Sequence, residues 1–490
     1  MAKLVKIDFP PGVSRRGTLY ETQGRWYDAS LVRWYEGSMY PVGGWVARST
    51  SAVTGSARAI LPWVDNTKLW WIALGTNSKL YAFSQSSTTG TDITPVGLTT
   101  GRADALDGAG YGLGYYGTGT YGTARVDNVT VQEADRWSLD TFDDDLLACL
   151  TSDGRIWRWT RSGLPSVLTN APTGCVGVHV TPERFVFALG AGGYSRLVQW
   201  SDQEQPTVWT PSSTNQAGDF TLQTQGRVQC AASSRFGTII WTDLDVHLAQ
   251  YIRLPYVYSI DPIGDQCGIL SRAAFAVADS AVYWMGTSGF FRFDGGGVQK
   301  LACDVFDAVF LDLSRVQRSK TFAWYNSQYS EVWWHYPSSA ATEVDRYVVY
   351  NTREDHWSIG ALARTTGVDR GIAGYPILCG SDGILYDHER GSSWSGVQPY
   401  ADSGPTEIGE GDTVARVRRL IFDEKTSGDV RVSMLTRNWP NGTETTAGPF
   451  ASGNPVSVRV AGRQLRLKVE FLQVGEWGTP RLEIIEGGKR

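Results

Sequence analysis

The sequence predicts an all-β fold: a β-propeller of about six or seven blades with an added C-terminal antiparallel β domain. The first observation is a β-hairpin pattern that recurs along the chain at near-constant spacing, and the second is a strict alternation of apolar and polar residues after residue 412. The third is composition, because 20 Trp, 22 Tyr and 55 Gly in 490 residues are typical of strands joined by tight turns.

Seven segments each combine an apolar strand, a short Gly, Ser, Asp or Asn turn, and a second strand, which is the pattern of a β-hairpin. The segments are 70–83, 146–159, 184–200, 237–251, 281–293, 322–336 and 376–389. Most intervals between them match the length of a four-stranded propeller blade. Radial stacking would bury both faces of such hairpins, which favours a propeller over several sandwiched sheets with coincidental spacing.

One interval is too long, and it contains the run GAGYGLGYYGTGTYGTAR at residues 108–125. Removing an insertion at 101–130 restores the blade spacing, so we predict an excursion from the propeller. Its candidate contact residues are Tyr111, Tyr115, Tyr116 and Tyr121, amphipathic side chains on a glycine-rich backbone. Two interpretations stay open, a surface loop packed on its own blade and a loop at a subunit contact or lumen gate.

The pattern divides the chain into three parts. Residues 1–57 form an aromatic-rich segment, expected either to close the ring or to contact a neighbouring copy. Residues 58–395 form the propeller, within which 304–320 show the apolar spacing of a short helix. Residues 396–490 form the C-terminal β domain, whose alternating residues indicate half-exposed antiparallel strands.

Basic residues recur on the predicted solvent face of the C-terminal domain. Two interpretations stay open, a charged face that keeps the protein soluble and a surface that docks an acidic partner. The candidates for docking are Arg459, Arg463 and Arg466, with Arg416, Arg418 and Lys468 on the same predicted face.

Charge and cysteine content bound the environment. A formal net charge of −5 argues against a protein that grips nucleic acid nonspecifically, but it allows nucleic acid to pass without sticking. The six cysteines are widely spaced, so we expect buried thiols in a protein made in a reducing cytoplasm. No apolar run has the length of a signal peptide core or a membrane span, and a soluble product is expected.

No motif predicts catalysis. Asp143, Asp144 and Asp145 are consecutive, as in a solvated loop. The five histidines show no metal-ligand spacing, and no P-loop or Gly-x-Ser-x-Gly motif is present. We therefore expect no enzyme activity, no catalytic residues, no cofactor and no metal site.

Three stretches resemble a known family. They are QWSDQEQPTVWTPSSTNQAGDFTL at 199–222, DLSRVQRSKTFAWYNSQYSEVWWHYPSS at 312–339 with DRYVVYNTREDHWSIG at 345–360, and GILYDHERG at 383–391. Together they resemble the tail nozzle proteins of short-tailed bacteriophages, also called tail tubular protein B or packaged-DNA stabilisation proteins. The likeness extends loosely over about residues 20–490.

The resemblance implies a propeller with added β domains, six copies of which form the distal ring of the virion tail. It implies an adaptor protein above the ring, fibre or spike proteins at its side, and synthesis in the host cytoplasm. Double-stranded DNA would be retained by the ring and conducted through its lumen during ejection, without sequence-specific binding. The alternative function is a carbohydrate-binding or carbohydrate-degrading propeller on the virion.

Overall fold

The computed structural model describes residues 2–108, 131–278, 280–408, 413–451 and 453–489. The predicted fold class is confirmed, because seven four-stranded antiparallel sheets form a propeller and two further sheets form a β domain. In the described part of the chain, no helix is long and apolar enough to cross a membrane.

Five strands precede the first propeller blade. They are β1 (Ala2–Lys6), β2 (Trp26–Ser30), β3 (Val32–Tyr35), β4 (Ser38–Pro41) and β5 (Trp45–Ala47). None of the five forms a sheet of its own beyond the β3–β4 hairpin, and the other three join sheets built from distant parts of the chain.

Six blades follow, each an antiparallel meander of four consecutive strands. Blade one contains β6 (Ala57–Val64), β7 (Trp70–Thr76), β8 (Leu80–Ser84) and β9 (Thr91–Asp92); blade two contains β10 (Trp137–Phe142), β11 (Asp145–Leu150), β12 (Ile156–Trp159) and β13 (Ser166–Val167). Blade three contains β14 (Gly177–Val180), β15 (Val186–Leu189), β16 (Leu197–Trp200) and β17 (Gly218–Thr221); blade four contains β18 (Val228–Ser234), β19 (Gly237–Thr242), β20 (Val246–Arg253) and β21 (Val257–Gly264). Blade five contains β22 (Phe275–Val277), β23 (Val282–Met285), β24 (Phe290–Phe293) and β25 (Val298–Lys300); blade six contains β26 (Phe322–Asn326), β27 (Glu331–Tyr336), β28 (Arg346–Asn351) and β29 (His356–Ala361).

The seventh blade is completed by the N-terminal segment. Its own strands are β30 (Arg364–Val368), β31 (Ile377–Gly380) and β32 (Leu385–His388). The fourth strand is β5, in which Trp45 pairs with His388 and Val46 with Asp387. The ring is therefore closed by hydrogen bonds between residues that are distant in sequence, and β5 is the outer strand of the seventh blade.

Aromatic side chains fill the space between adjacent blades. Between blades one and two, the indole of Trp159 meets Trp71 edge to face with ring centroids 5.6 Å apart, and Trp63 lies 6.4 Å from each of them. Edge-to-face contacts of this kind add to the free energy gained by burying the rings. The abundance of tryptophan in the sequence thus reflects the many faces that a propeller must bury.

The helix predicted over 304–320 is shorter than expected. It spans α1 (Phe306–Asp312) and ends because Leu313 is extended and forms an isolated bridge with Ser338. A 3-10 helix follows at Gln317–Lys320, and others lie at Ala191–Gly193 and Gly371–Ala373. The apolar spacing predicts the first two turns, but a tertiary backbone contact at Leu313 ends the helix.

The C-terminal domain consists of two antiparallel sheets. Its strands are β33 (Tyr400–Ser403), β34 (Thr406–Glu407), β35 (Thr413–Ile421), β36 (Val430–Arg437), β37 (Thr445–Phe450), β38 (Val456–Gly462), β39 (Gln464–Phe471) and β40 (Arg481–Lys489). One sheet has the order β1-β40-β35-β38, and the other has the order β2-β33-β39-β36-β37 with β34 beside β39. Both sheets therefore end on a strand from the N-terminal segment.

The β3–β4 hairpin connects the C-terminal domain to the propeller. Met39 exchanges two backbone hydrogen bonds with Trp477, each 2.9 Å long. On the propeller side, the backbone amide of Leu31 donates to the buried hydroxyl of Tyr347 at 2.6 Å. The N-terminal segment thus contributes to the C-terminal sheets, to the junction and to the seventh blade.

Candidate functional site in the axial channel

The first strands of all seven blades line one cavity on the propeller axis. Its volume is about 240 Å³, which is room for a small molecule. The lining residues are Ala59, Ile60, Arg136–Asp140, Val176, Val178, His179, Gln229–Ala231, Arg272, Ala273, Phe275, Phe322, Ala323, Thr366 and Gly367. We call this cavity the axial cavity, and the end at which the first strands begin its basic end.

The basic end takes its name from a pattern in the sequence. In every blade except the third, an arginine or lysine stands within three residues of the start of the first strand. These residues are Arg58, Arg136, Arg227, Arg272, Lys320 and Arg364. Because the first strands run in the same direction around the axis, their charges gather at one end of the channel.

Four of these cations form ion pairs with carboxylates, among them the deeply buried Arg58 and Lys320. Arg58, which is 1% exposed, donates from both terminal nitrogens to Glu343 at 2.7 Å. Burial raises the pKa of the Glu343 carboxyl, but the bonds from Arg58 outweigh burial and hold that pKa below its usual value. Lys320 is fully buried and donates to the carboxylate of Asp104 and the carbonyl of Thr342.

Arg136 has no such partner. It is 5% exposed, and its guanidinium donates to the carbonyl oxygens of Arg58 and Thr321. No carboxylate of the described residues forms an ion pair with it. Burial, together with the nearby charges of Arg58 and Arg272, lowers the pKa of Arg136 to about 9. Arg272 donates to the carbonyl of Gln229 at 2.9 Å and lies 3.8 Å from the carboxylate of Glu133.

Deeper along the first strands, three side chains from consecutive blades meet in series. The Nδ1 atom of His179 on β14 lies 2.9 Å from Oδ2 of Asp140 on β10. The Nε2 atom of the same ring lies 2.9 Å from the hydroxyl of Ser233 on β18. Asp140 also accepts the backbone amide of Val180 at 2.8 Å. The imidazole is therefore oriented by a carboxylate on one side and bonded to a hydroxyl on the other.

Ser138, a serine that lines the axial cavity, has different partners. Ser138 donates its hydroxyl to the carbonyl of Val178 at 2.7 Å and accepts the amide of the same residue at 3.2 Å. It joins the first strands of blades two and three, and it does not contact His179.

The predicted contact tyrosines Tyr111, Tyr115, Tyr116 and Tyr121 lie outside the described residues. The described base of the insertion, residues 101–108 and 131–135, lies at the basic end of the axial cavity. There Leu106 and Gln132 exchange two backbone hydrogen bonds of 2.9 Å. Gln317 bonds both the amide and the carbonyl of Ala105, so the base is tied to the connection between blades five and six.

The three candidate docking arginines are not equivalent. Arg459 is exposed on the outer strand β38, whereas Arg463 is 8% exposed with its guanidinium 4.1 Å above the Trp439 ring. Arg466 donates to Glu444 at 3.0 Å and pairs with Asp402. Placing Arg463 and Arg466 on a solvent face is thus corrected, because ring contact and acidic neighbours bury them; the docking role stays a prediction for Arg459.

Sequence reasoning missed the three side chains that meet in series along the first strands. Asp140, His179 and Ser233 share no local motif, because each lies on the first strand of a different blade. The basic residue before most first strands is a signal that the sequence does carry. Among the described residues, no three His, Cys, Asp or Glu side chains lie close enough to hold a metal ion.

No protein-family model and no curated protein matches the chain. Solved structures do. Virginiamycin B lyase from Staphylococcus aureus is 8% identical over 70% of this chain and 97% of its own, with a TM-score of 0.42. The gluconolactonase XC5397 from Xanthomonas campestris is 9% identical over 79% and 97%, with a TM-score of 0.34. Exo-beta-1,3-galactanase from Phanerochaete chrysosporium is 10% identical over 90% and 100%, with a TM-score of 0.30.

These similarities correct one expectation. The prediction that the chain is not an enzyme, which was drawn from the absence of catalytic motifs, is contradicted, because the similar structures include a lyase, a gluconolactonase and a galactanase. At this identity the likeness concerns the fold, and it assigns none of the three activities to this chain. The strand topology of the seven blades establishes that this part of the chain is a β-propeller.

Proposed function

We propose that the chain is the nozzle subunit of a short-tailed phage tail, six copies of which form a ring that retains packaged DNA and conducts it during ejection. The sequence resemblance motivates this proposal. The stretches that carry it lie in the third, sixth and seventh blades and in the connections around them.

The observation that carries the proposal is the way the N-terminal segment holds the two domains together. Its strands complete a propeller blade and both C-terminal sheets. Between them, Arg33 of the β3–β4 hairpin is 4% exposed and pairs with Glu331 of blade six and with Glu389 beyond blade seven. A subunit of a pressurised conduit needs such a rigid junction, because movement between domains would open the wall.

The axial cavity also bears on the proposal. At about 240 Å³, with Trp137, Phe275 and Phe322 among its lining residues, it is too small for a DNA duplex. In a nozzle the conduit would therefore be the space enclosed by the ring of copies. Isolated rings of this kind need large interfaces between neighbours.

Electron microscopy of the purified chain tests this proposal. We expect closed rings with a central opening, formed either by the purified chain alone or after it is added to phage particles that lack their nozzle. Particles to which the chain has been added should then retain their DNA. The Arg353→Ala variant is a suitable control, because Arg353 is half-exposed and its ion pairs are long. A chain that stays monomeric and neither binds nor seals the particles would exclude the nozzle function.

A second candidate is a carbohydrate-binding or carbohydrate-degrading propeller on the virion. The observation that favours it is the axial cavity, which combines polar groups such as Asp140, His179 and Gln229 with apolar and aromatic walls, as in small-molecule sites. Incubation of the chain with host polysaccharide tests it. Binding of polysaccharide fragments or release of reducing ends would support this function. If neither is observed, this second candidate is excluded.

A further inference from the structure

We propose that Asp140, His179 and Ser233 form an acyl-transfer site that hydrolyses small esters in the axial channel. This inference goes beyond the nozzle function and does not depend on it. It rests on the two 2.9 Å contacts of the His179 ring, one to the Asp140 carboxylate and one to the Ser233 hydroxyl.

The arrangement meets the geometric requirement for an activated serine. A carboxylate at Nδ1 fixes the tautomer that leaves Nε2 free to accept the serine proton. His179 is buried and lines the axial cavity, and Ser233 is half-buried two residues beyond Ala231 of the same lining. The base is therefore held in place at the cavity wall while part of the nucleophile's surface stays exposed. The three residues come from adjacent first strands, which are rigid elements of the propeller.

The reaction balances without a metal ion or cofactor. Ser233 Oγ attacks the ester carbonyl as its proton passes to His179 Nε2, and the tetrahedral intermediate collapses when His179 returns the proton to the leaving alkoxide. Water then attacks the acyl-serine with His179 as general base, releasing the carboxylic acid and the free serine. First strands have a sheet partner on one side only, so backbone N–H groups of their other edge face the channel, where they can stabilise the oxyanion.

The basic end indicates which esters fit. Of the six cations there, Arg227 pairs with Asp243 outside the cavity lining, and Arg364 donates from Nε to the ring of His388. The other four are Arg58, Arg136, Arg272 and Lys320, and three of these lie within ion-pair distance of Asp104, Glu133 or Glu343. Among the described residues the fourth, Arg136, is held by carbonyl oxygens, which fix its guanidinium without neutralising it.

A buried cation without a counter-ion is costly, so a ligand carboxylate at Arg136 would be favourable. The guanidinium fork binds carboxylates well. Arg136 and Asp140 are four residues apart on one extended segment, so their Cα atoms are separated by roughly 13 Å. The substrate class is therefore a small ester whose acyl part ends in a carboxylate, with the ester at Ser233 and the carboxylate at the basic end.

The test uses the full chain with a fluorophosphonate probe and with two esters, p-nitrophenyl acetate and p-nitrophenyl hemisuccinate. We expect mass spectrometry to find the label on Ser233. The variants Ser233→Ala and His179→Gln should lose hydrolysis by at least about 100-fold. Ser138→Ala is the matched control, since Ser138 lies in the same cavity without touching His179, and it should keep the activity.

A separate kinetic comparison of the two esters tests the substrate class. Arg136→Met should lower kcat/KM for the hemisuccinate by about tenfold or more relative to the acetate, whereas Arg227→Met, at an exposed arginine outside the cavity lining, should change neither. Equal losses on both esters would overturn the carboxylate assignment. Absence of label on Ser233, or undiminished hydrolysis by Ser233→Ala, would overturn the acyl-transfer site. If Ser233→Ala does not fold, Ser233→Cys takes its place. A thiol activated by His179 should be alkylated faster than the wild-type cysteines, and an equal rate would overturn the site.

Discussion

Arg33 of the β3–β4 hairpin and Glu331 of blade six form a buried bidentate ion pair that fastens the hairpin to the propeller. Nε and Nη2 of Arg33 each donate to one oxygen of Glu331, both at 3.0 Å. Nη1 of Arg33 donates to the carboxylate of Glu389. One cation thus holds two buried carboxylates. Burial raises the pKa of Glu331, with Glu389 adding to that rise and Arg33 opposing it.

Removing the Arg33 cation should therefore strongly destabilise the folded protein. Arg33→Met would leave Glu331 and Glu389 buried beside each other without a counter-ion, and we expect a loss of about 3–5 kcal/mol in the free energy of unfolding. Urea denaturation followed by tryptophan fluorescence measures it. Arg353→Met, at a solvent-exposed pair, should behave like the wild type, and a similar loss in both variants would contradict the assigned role of Arg33.

His335 should make the stability of the propeller depend on pH. The ring is fully buried, stacks on Phe322 at 4.8 Å and accepts the indole N–H of Trp324. Burial, with a further contribution from the Arg364 charge, lowers the pKa of His335 to about 3. In the unfolded chain the imidazole of this residue takes up a proton near pH 6.5, so the full free energy of unfolding is present above that pH. As the pH falls from there toward 3, the free energy of unfolding should decline by up to about 1.4 kcal/mol per pH unit.

The variant His335→Gln isolates this effect. Glutamine keeps an acceptor for Trp324 but does not titrate in this range. Its unfolding free energy, measured between pH 7 and pH 5, should fall less steeply than that of the wild type. Parallel curves for the two proteins would show that His335 does not titrate on unfolding.

We predict that the propeller stays folded when the glycine- and tyrosine-rich run is deleted. Leu106 and Gln132 are a hydrogen-bonded antiparallel pair, so their Cα atoms lie about 5.5 Å apart and a short Gly-Ser link can replace residues 109–130. We expect an unchanged midpoint of thermal unfolding. If the chain is a nozzle, the same deletion should weaken ring formation or DNA retention; normal assembly and retention would leave the run as a surface loop.

Charge reversal separates docking from folding in the C-terminal domain. Arg459→Glu changes an exposed residue, so the domain should unfold as before while attachment to an acidic partner weakens. Arg466→Glu places a third acid beside Asp402 and Glu444, and should cost about 3–5 kcal/mol of stability. Thermal unfolding and assembly, measured on both variants, distinguish the two cases. Normal assembly of Arg459→Glu would remove this face as a docking surface.

The sequence was most informative where structure is local. Each of the seven hairpins belongs to one of the seven blades, because turn residues and alternating side chains act over a few positions. It was least informative where pairing is non-local. Ring closure by residues 1–57 is one of two interpretations that the sequence allows, but nothing near Trp45 indicates His388 as its partner. Likewise, nothing near Arg466 indicates that Asp402 and Glu444 will pair with its charge.

The same limit applies to the axial channel. His179 looks like a lone histidine in sequence, since Asp140 and Ser233 approach it only when three blades surround the axis. The repeated basic residue at the start of the first strands was readable in principle. Its meaning depended on knowing that these strands run side by side around one cavity.

The closing strand imposes an order on biosynthesis. Trp45–Ala47 leave the ribosome early, yet their partner β32 is made only after six blades have been translated. Until then the strand must wait unpaired, and a neighbouring nascent chain offers the same vacant position in its own seventh blade. Crowded polysomes would then favour swapped dimers, so the yield of correctly closed monomers should depend on how densely the message is translated.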